Sequence, residues 1–359
     1  RKAGSMTAIQ QKPAPFGETP ESEMEASPRY WGQVWTQFKR SPLNRLGLAV
    51  ITFLVAVAIF APILANSEPF YVKYQDKVYL PILQKLWITR KLNLYPELKE
   101  VDFAKWKSDG AEFRHAPVPY SPDEYNLEEI LEPPSRYHWL GTDQQGRDVL
   151  SRLIHGSRIS LSVGLVAVAI YCLIGIFLGA LAGYFGGRWD LWISRAIEIM
   201  ICFPTFFLIL SLVAVLGQDL LYIMIVLGLT GWTGIARLTR GEFLKLRNQD
   251  FVTACLSQGM PTRRILFRHL LPNAMAPVLV SATFGIAAAI LIESSLSFLG
   301  FGVRPPTPSW GELLSQAKSA IDVAWWLTTF PGLAIFLTIT AFNLVGEGLR
   351  DAVDPKLKT

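Results

Sequence analysis

Residues 250–273 read DFVTACLSQGMPTRRILFRHLLPN, a basic, Gly- and Pro-punctuated stretch set between two strongly apolar segments. Of the 359 residues, 51% are hydrophobic and 18% charged, so the chain carries more apolar surface than a soluble core consumes. A membrane-spanning helix needs about 20 apolar residues. Six runs approach that length with few charges: 46–65, 159–185, 196–216, 220–236, 274–292 and 325–345. An all-α integral membrane protein with six transmembrane helices follows, with both termini on one side. The opening stretch is then the connection between the fourth and fifth spans.

Lys and Arg in short connections set the orientation. Residues 237–268 hold seven basic residues against two acidic ones, and Lys39, Arg40 and Arg45 precede the first run. The connection at Gly217-Gln218-Asp219 has no basic residue. The basic segments and both termini are therefore expected in the cytoplasm. Arg147, Arg152 and Arg158 then fall outside, against the bias, in a loop long enough to weaken it. The expected organisation is a cytoplasmic segment at 1–45, polar and disordered over 7–28, and a first span at 46–65. A periplasmic insertion of mixed structure follows at 66–140. The five-helix core runs over 141–349, with a cytoplasmic loop at 237–272, and a cytoplasmic tail at 350–359 ends the chain. Tyr30, Trp31, Val34, Trp35 and Phe38 recur at helical spacing ahead of Lys39 and Arg40, which predicts a helix lying along the membrane surface.

Several function classes are disfavoured. A net charge of +5, gathered in a few loops, gives little support to nucleic-acid binding. Cys172, Cys202 and Cys255 are far apart, so no disulfide framework is implied, and the four histidines share no ligand spacing. No G-x-x-x-x-G-K-[ST] phosphate loop and no G-x-S-x-G elbow occurs. No catalytic residue, cofactor site or metal site is therefore expected in this chain.

Other constellations carry packing or transport. Gly175, Gly179 and Gly183 stand four apart, one hydrogen-only face along which another helix can approach. Glu198, near Arg195, reads as an ion pair reaching for the interface. Glu293 falls near the outer end of the fifth span. With Ser294, Ser297 and Phe298 it either lines a translocation path or outer gate, or simply hydrogen-bonds to its serines.

The opening stretch divides into two short helices. The first, over 251–258, places Phe251, Ala254 and Cys255 on one face, and Gly259 supplies the left-handed residue that ends it. Pro261 suits the start of the second, where Arg264 and Arg268 share a face and Ile265, Leu266 and Leu270 occupy another. Pro272-Asn273 is expected to break that helix before the next span begins. The result is a projecting, partly apolar knob, or else a positive loop resting on anionic lipid.

The stretch resembles the EAA loop of binding-protein-dependent ABC importer permeases. Thr253-Ala254-Cys255 stand for E-A-A, Gly259 matches, and Leu271-Pro272 fall at the required distance with His269 two residues before Leu271. The departures are Thr253 for glutamate and Cys255 for the second alanine. HWLGTDQQGRDVLSRLIHGSRISL at 138–161, GYFGGRWD at 183–190, ESSLSFLGFGVRPPTPSWGELL at 293–314 and DAVDPK at 351–356 are similar to the C-type subunit of the dipeptide/oligopeptide family. PFYVKYQDKVYLPIL at 69–83 is similar to the subgroup that includes microcin C and longer-peptide importers.

The resemblance implies a type I ABC importer permease fold in a bacterial inner membrane, paired with a homologous second permease subunit. It further implies two cytosolic ATP-binding subunits that hold ATP and Mg, and a periplasmic solute-binding protein delivering peptide. It implies ATPase coupling through Phe251, Thr253, Ala254, Cys255, Gly259, Arg263, Arg264, Arg268, His269, Leu271 and Pro272. The residues alone leave open an ion-coupled secondary transporter, and the family leaves open a nickel or other-solute permease.

Overall fold

The computed structural model describes residues 28–74, 77–79, 81 and 112–353. The polar lead-in up to residue 27, residues 82–111 of the insertion and the tail beyond residue 353 lie outside the described residues.

Helix α1 (Pro28–Phe38) precedes the first span, α2 (Pro42–Leu64). The insertion contributes three short strands, β1 (Tyr71–Tyr74), β2 (Lys77–Tyr79) and β3 (Glu112–Arg114), in an antiparallel sheet of order β2-β1-β3. Val72 pairs with Tyr79 on one side and Phe113 on the other, and is fully buried. Then come α3 (Val149–Phe185), α4 (Gly187–Cys202), α5 (Thr205–Leu216), α6 (Leu220–Leu246) and the short α7 (Asp250–Ser257). The continuous helix α8 (Thr262–Phe298), α9 (Trp310–Ala317) and α10 (Trp326–Val353) follow. Among the described residues five helices are long and apolar enough to cross a membrane, and six spans result when the bent pair α4–α5 is taken as one.

Four differences from the sequence reading have local causes. The third run is not a straight helix: α4 and α5 meet at 84°. Pro204 removes a donor and clashes with the preceding turn, so helix stops at Cys202 and restarts at Thr205. Neither piece alone spans a core of about 30 Å, since 12 residues of α5 rise only about 18 Å. The second span begins at Val149, ten residues before its apolar run, because Asp148 caps it, accepting from Ser151 N–H at 2.7 Å.

Pro272 does not break the fifth span. A π-helical turn over Ile265–Leu270 carries the chain through it, with Leu271 N–H reaching back to Leu266 O. The wider turn shifts the ladder ahead of the proline, and the chain continues as one helix to Phe298. Finally, α1 turns Val34 and Phe38 onto Ala352 of α10. Protein therefore covers part of the apolar face expected to rest on lipid, while Trp35 stays exposed.

The core is the α3–α6 pair, the most extensive helix contact among the described residues. Gly175, Gly179 and Gly183 all face α6: a side-chain carbon at Gly179 would lie 2.5 Å from Ala236 O, and one at Gly183 2.7 Å from Arg240 O. Hydrogen-only positions let the two backbones touch.

Candidate functional site

The loop between α6 and α8 is built from the spans outward. Helix α6 runs to Leu246, beyond its apolar run, and Arg247 donates to Gly183 O (3.1 Å) and Tyr184 O (3.3 Å) at the end of α3. Asp250 opens α7, where a carboxylate suits the positive helix end. Gly259 has φ +68°, its N–H donates to Leu256 O (2.9 Å), and Met260 N–H donates to Cys255 O (3.1 Å). This paired closure is a Schellman cap, and only glycine adopts its left-handed residue without strain.

Val252, Cys255, Ile265 and Leu270 are buried against Phe243, Leu246 and Ala274, so this turn is anchored to both flanking spans by its own apolar cluster. Thr253, Ala254, Leu256, Arg263, Arg264, Phe267 and Arg268 are exposed, with Leu256 at 54% and Phe267 at 64%. The face is therefore not the expected Phe251/Ala254/Cys255 set. The spacing that unites 252 with 255 turns Cys255 inward and leaves Phe251 half-buried, while Ala254 points out. Of the three thiols, Cys202 at the α4–α5 bend is the exposed one. His269, Leu271 and Pro272 are half-buried at the base of the turn.

A cavity of about 360 Å³ lies higher up, between α3, α5, α6 and α8. Glu293, Ser294 and Ser297, expected along a path or outer gate, do not line it. They are buried inside the wall. The Glu293 carboxylate accepts from Ser297 Oγ (2.8 Å) and Ser294 Oγ (3.4 Å). Phe298 is exposed, with Lys318 Nζ 4.3 Å from its ring centre. Arg195 and Glu198 form an exposed ion pair on α4.

The end of the bundle away from the α7–α8 turn holds a charged cluster that the sequence reading did not assemble. Asp143, Arg147, Arg152 and Glu312 are all buried. Arg152 Nη2 donates to Glu312 Oε2 (2.7 Å) and Nη1 to Pro122 O (2.8 Å), while Arg147 Nε donates to Asp143 Oδ2 (2.7 Å). Beside them His138 lies between Asp148 (2.9 Å) and Glu129 (3.2 Å), with the Tyr120 ring tilted against it. Burial pushes the Asp148 carboxyl above the usual carboxylate range, against the Ser151 N–H and His138 that draw it down. Two arginines that offend the charge bias are thus neutralised by partners. Among the described residues no three His, Cys, Asp or Glu side chains are grouped as a metal ion would require.

The family model described as "Binding-protein-dependent transport system inner membrane component" matches residues 175–359. The chain belongs to that family. As a member it is a multi-pass inner-membrane component of an ABC importer. Residues 29–81 match the N-terminal TM domain of oligopeptide transport permease C. The dipeptide transport system permease protein DppC of Alkalihalophilus pseudofirmus is 36% identical over 349 residues, covering 97% of this chain and 96% of that protein. The di/tripeptide transport system permease protein DppC of Pseudomonas aeruginosa is 45% identical over 67% of this chain and 82% of its own length. The OppC oligopeptide permease of Haemophilus influenzae is 42% identical over 67% and 77%. A chain of the inward-facing MetNI methionine ABC transporter superposes with a TM-score of 0.48 at 16% identity, over 57% of this chain and 97% of that one.

Proposed function

We propose that this chain is the C-type permease subunit of an ATP-driven importer of peptides. It pairs with a homologous permease, receives peptide from a periplasmic solute-binding protein and is driven by two cytosolic ATPase subunits. Relatives named for dipeptide, di/tripeptide and oligopeptide transport support the substrate class. One observation carries the mechanism: the α7–Gly259–α8 turn is exposed along its outer face yet locked by its inner face to α6 and α8. A partner that grips Ala254, Leu256 and Arg264 moves both spans, because the Schellman cap and the Val252/Cys255/Ile265 cluster leave little slack between grip and helix. With six crossings, this basic turn and both termini face the cytoplasm.

Gly259→Val tests the proposal. A β-branched residue in the left-handed conformation costs on the order of 1–2 kcal/mol, enough to redirect the turn without disturbing the spans. In the assembled importer, peptide-stimulated ATP hydrolysis and uptake are expected to fall together while the permease still inserts in the membrane. Wild-type coupling in this variant would contradict the proposed role of the turn.

A further inference from the structure

The cavity between α3, α5, α6 and α8 has a lining unlike either end of the molecule. None of its lining residues is Asp, Glu, Lys, Arg or His, although buried charges are dense at the outer end. Its polar groups are four hydroxyls, those of Tyr171, Thr205, Thr230 and Ser281. Gly231 and Gly285 are filled notches: the Tyr171 ring lies 2.8 Å from where a Gly231 side-chain carbon would sit, and its hydroxyl occupies the corresponding space at Gly285. Gly234 is different. A side-chain carbon there meets nothing within 4 Å, so the open volume lies directly against the α6 backbone.

Ala167, Gly234 and Ser281 stand at the middle of three long spanning helices, which puts the cavity at membrane mid-depth. Transporters hold solutes at that depth. A volume of about 360 Å³ falls within the range of ligand pockets, about 300–1,000 Å³. An ionised group entering it would lose its hydration and gain no counter-charge, whereas an apolar or hydroxyl-bearing group would lose little.

We propose that this cavity receives one uncharged side chain of the peptide in transit, selecting by size and excluding charge. The proposal rests on the importer reading given above and assigns a site within it. It makes this subunit a contributor to specificity. The peptide's charged ends and any charged side chain stay outside the cavity.

Adding bulk at Gly234 tests this, since the space is free and the helix prefers almost any residue to glycine. The probes are Ala-Ala-Ala and Ala-Phe-Ala, supplied to cells that depend on the importer. For Gly234→Leu, uptake of Ala-Phe-Ala relative to Ala-Ala-Ala is expected to fall about ten-fold, the scale on which a few carbons matter in an apolar pocket. The smaller Gly234→Ala should give a lesser fall in the same direction. Gly241→Leu, on the same helix with equally free space but away from the cavity, should leave the ratio unchanged. An unchanged ratio in both Gly234 variants, whether total uptake falls or not, would overturn the cavity proposal alone. A wild-type complex that imports neither peptide would overturn the importer reading itself.

Discussion

The two ends of this molecule handle charge in opposite ways. At the end away from the α7–α8 turn, Asp143, Arg147, Arg152 and Glu312 are taken out of water and paired with one another, tying α3 to α9 and to the loop at Pro122. At the α7–α8 turn, Arg263, Arg264 and Arg268 are left exposed beside Ala254, Leu256 and Phe267, and rigidity comes from an apolar cluster and a glycine cap. Buried ion pairs contribute little net stability but are costly to break. They suit a part that must hold a single arrangement. An exposed surface of small, apolar and basic groups suits a part that must be gripped.

The largest effect is expected where the outer cluster is broken. Glu312→Ala removes the nearest carboxylate of buried Arg152, leaving it Asp143 at 3.5 Å, and should cost about 3–5 kcal/mol, visible as a sharp loss of thermal stability in detergent. Exchanging the pair together, Arg152→Met with Glu312→Leu, should recover most of it, because Asp143 keeps Arg147 as its partner. A wild-type melt for Glu312→Ala would dissolve the contrast between the ends. Gly179→Leu in the seam between them is expected to cost about 1–3 kcal/mol by overpacking, since the obstructing atom is the Ala236 backbone oxygen and not a side chain that can swing away. Its melting temperature and the retention of the permease in assembled complexes would show it. Gly259→Val is smaller in stability, about 1–2 kcal/mol, and its main consequence is lost coupling.

What the sequence revealed followed from how far apart the relevant residues lie. The spans, the glycine seam and the Gly259 turn depend on neighbours within a few residues, and period and spacing expose them. The Arg152–Glu312 pair joins positions 160 residues apart, which no spacing argument reaches. Its one available signal was an anomaly: three arginines outside, against the charge bias. The 84° bend was marked only by Pro204 within an unbroken apolar run. The inward turn of Cys255 was hidden because both faces of α7 carry small or apolar residues, so the pattern alone did not say which face meets the spans.

With Cys255 turned inward, the exposed side of the α7–α8 turn is the surface the ATPase subunits are proposed to grip, and a thiol placed there tests this most directly. Ala254→Cys, made with Cys202→Ala so that the exposed thiol at the bend is silent, places a reactive group on the outer side of α7. A membrane-impermeant maleimide applied to inside-out vesicles should label this residue readily once the ATPase subunits are stripped, and poorly when they are restored. Native Cys255, turned into the apolar cluster, should stay unlabelled in both conditions. Equal labelling of residue 254 with and without the ATPase subunits, or labelling only from the opposite face of the membrane, would contradict the account.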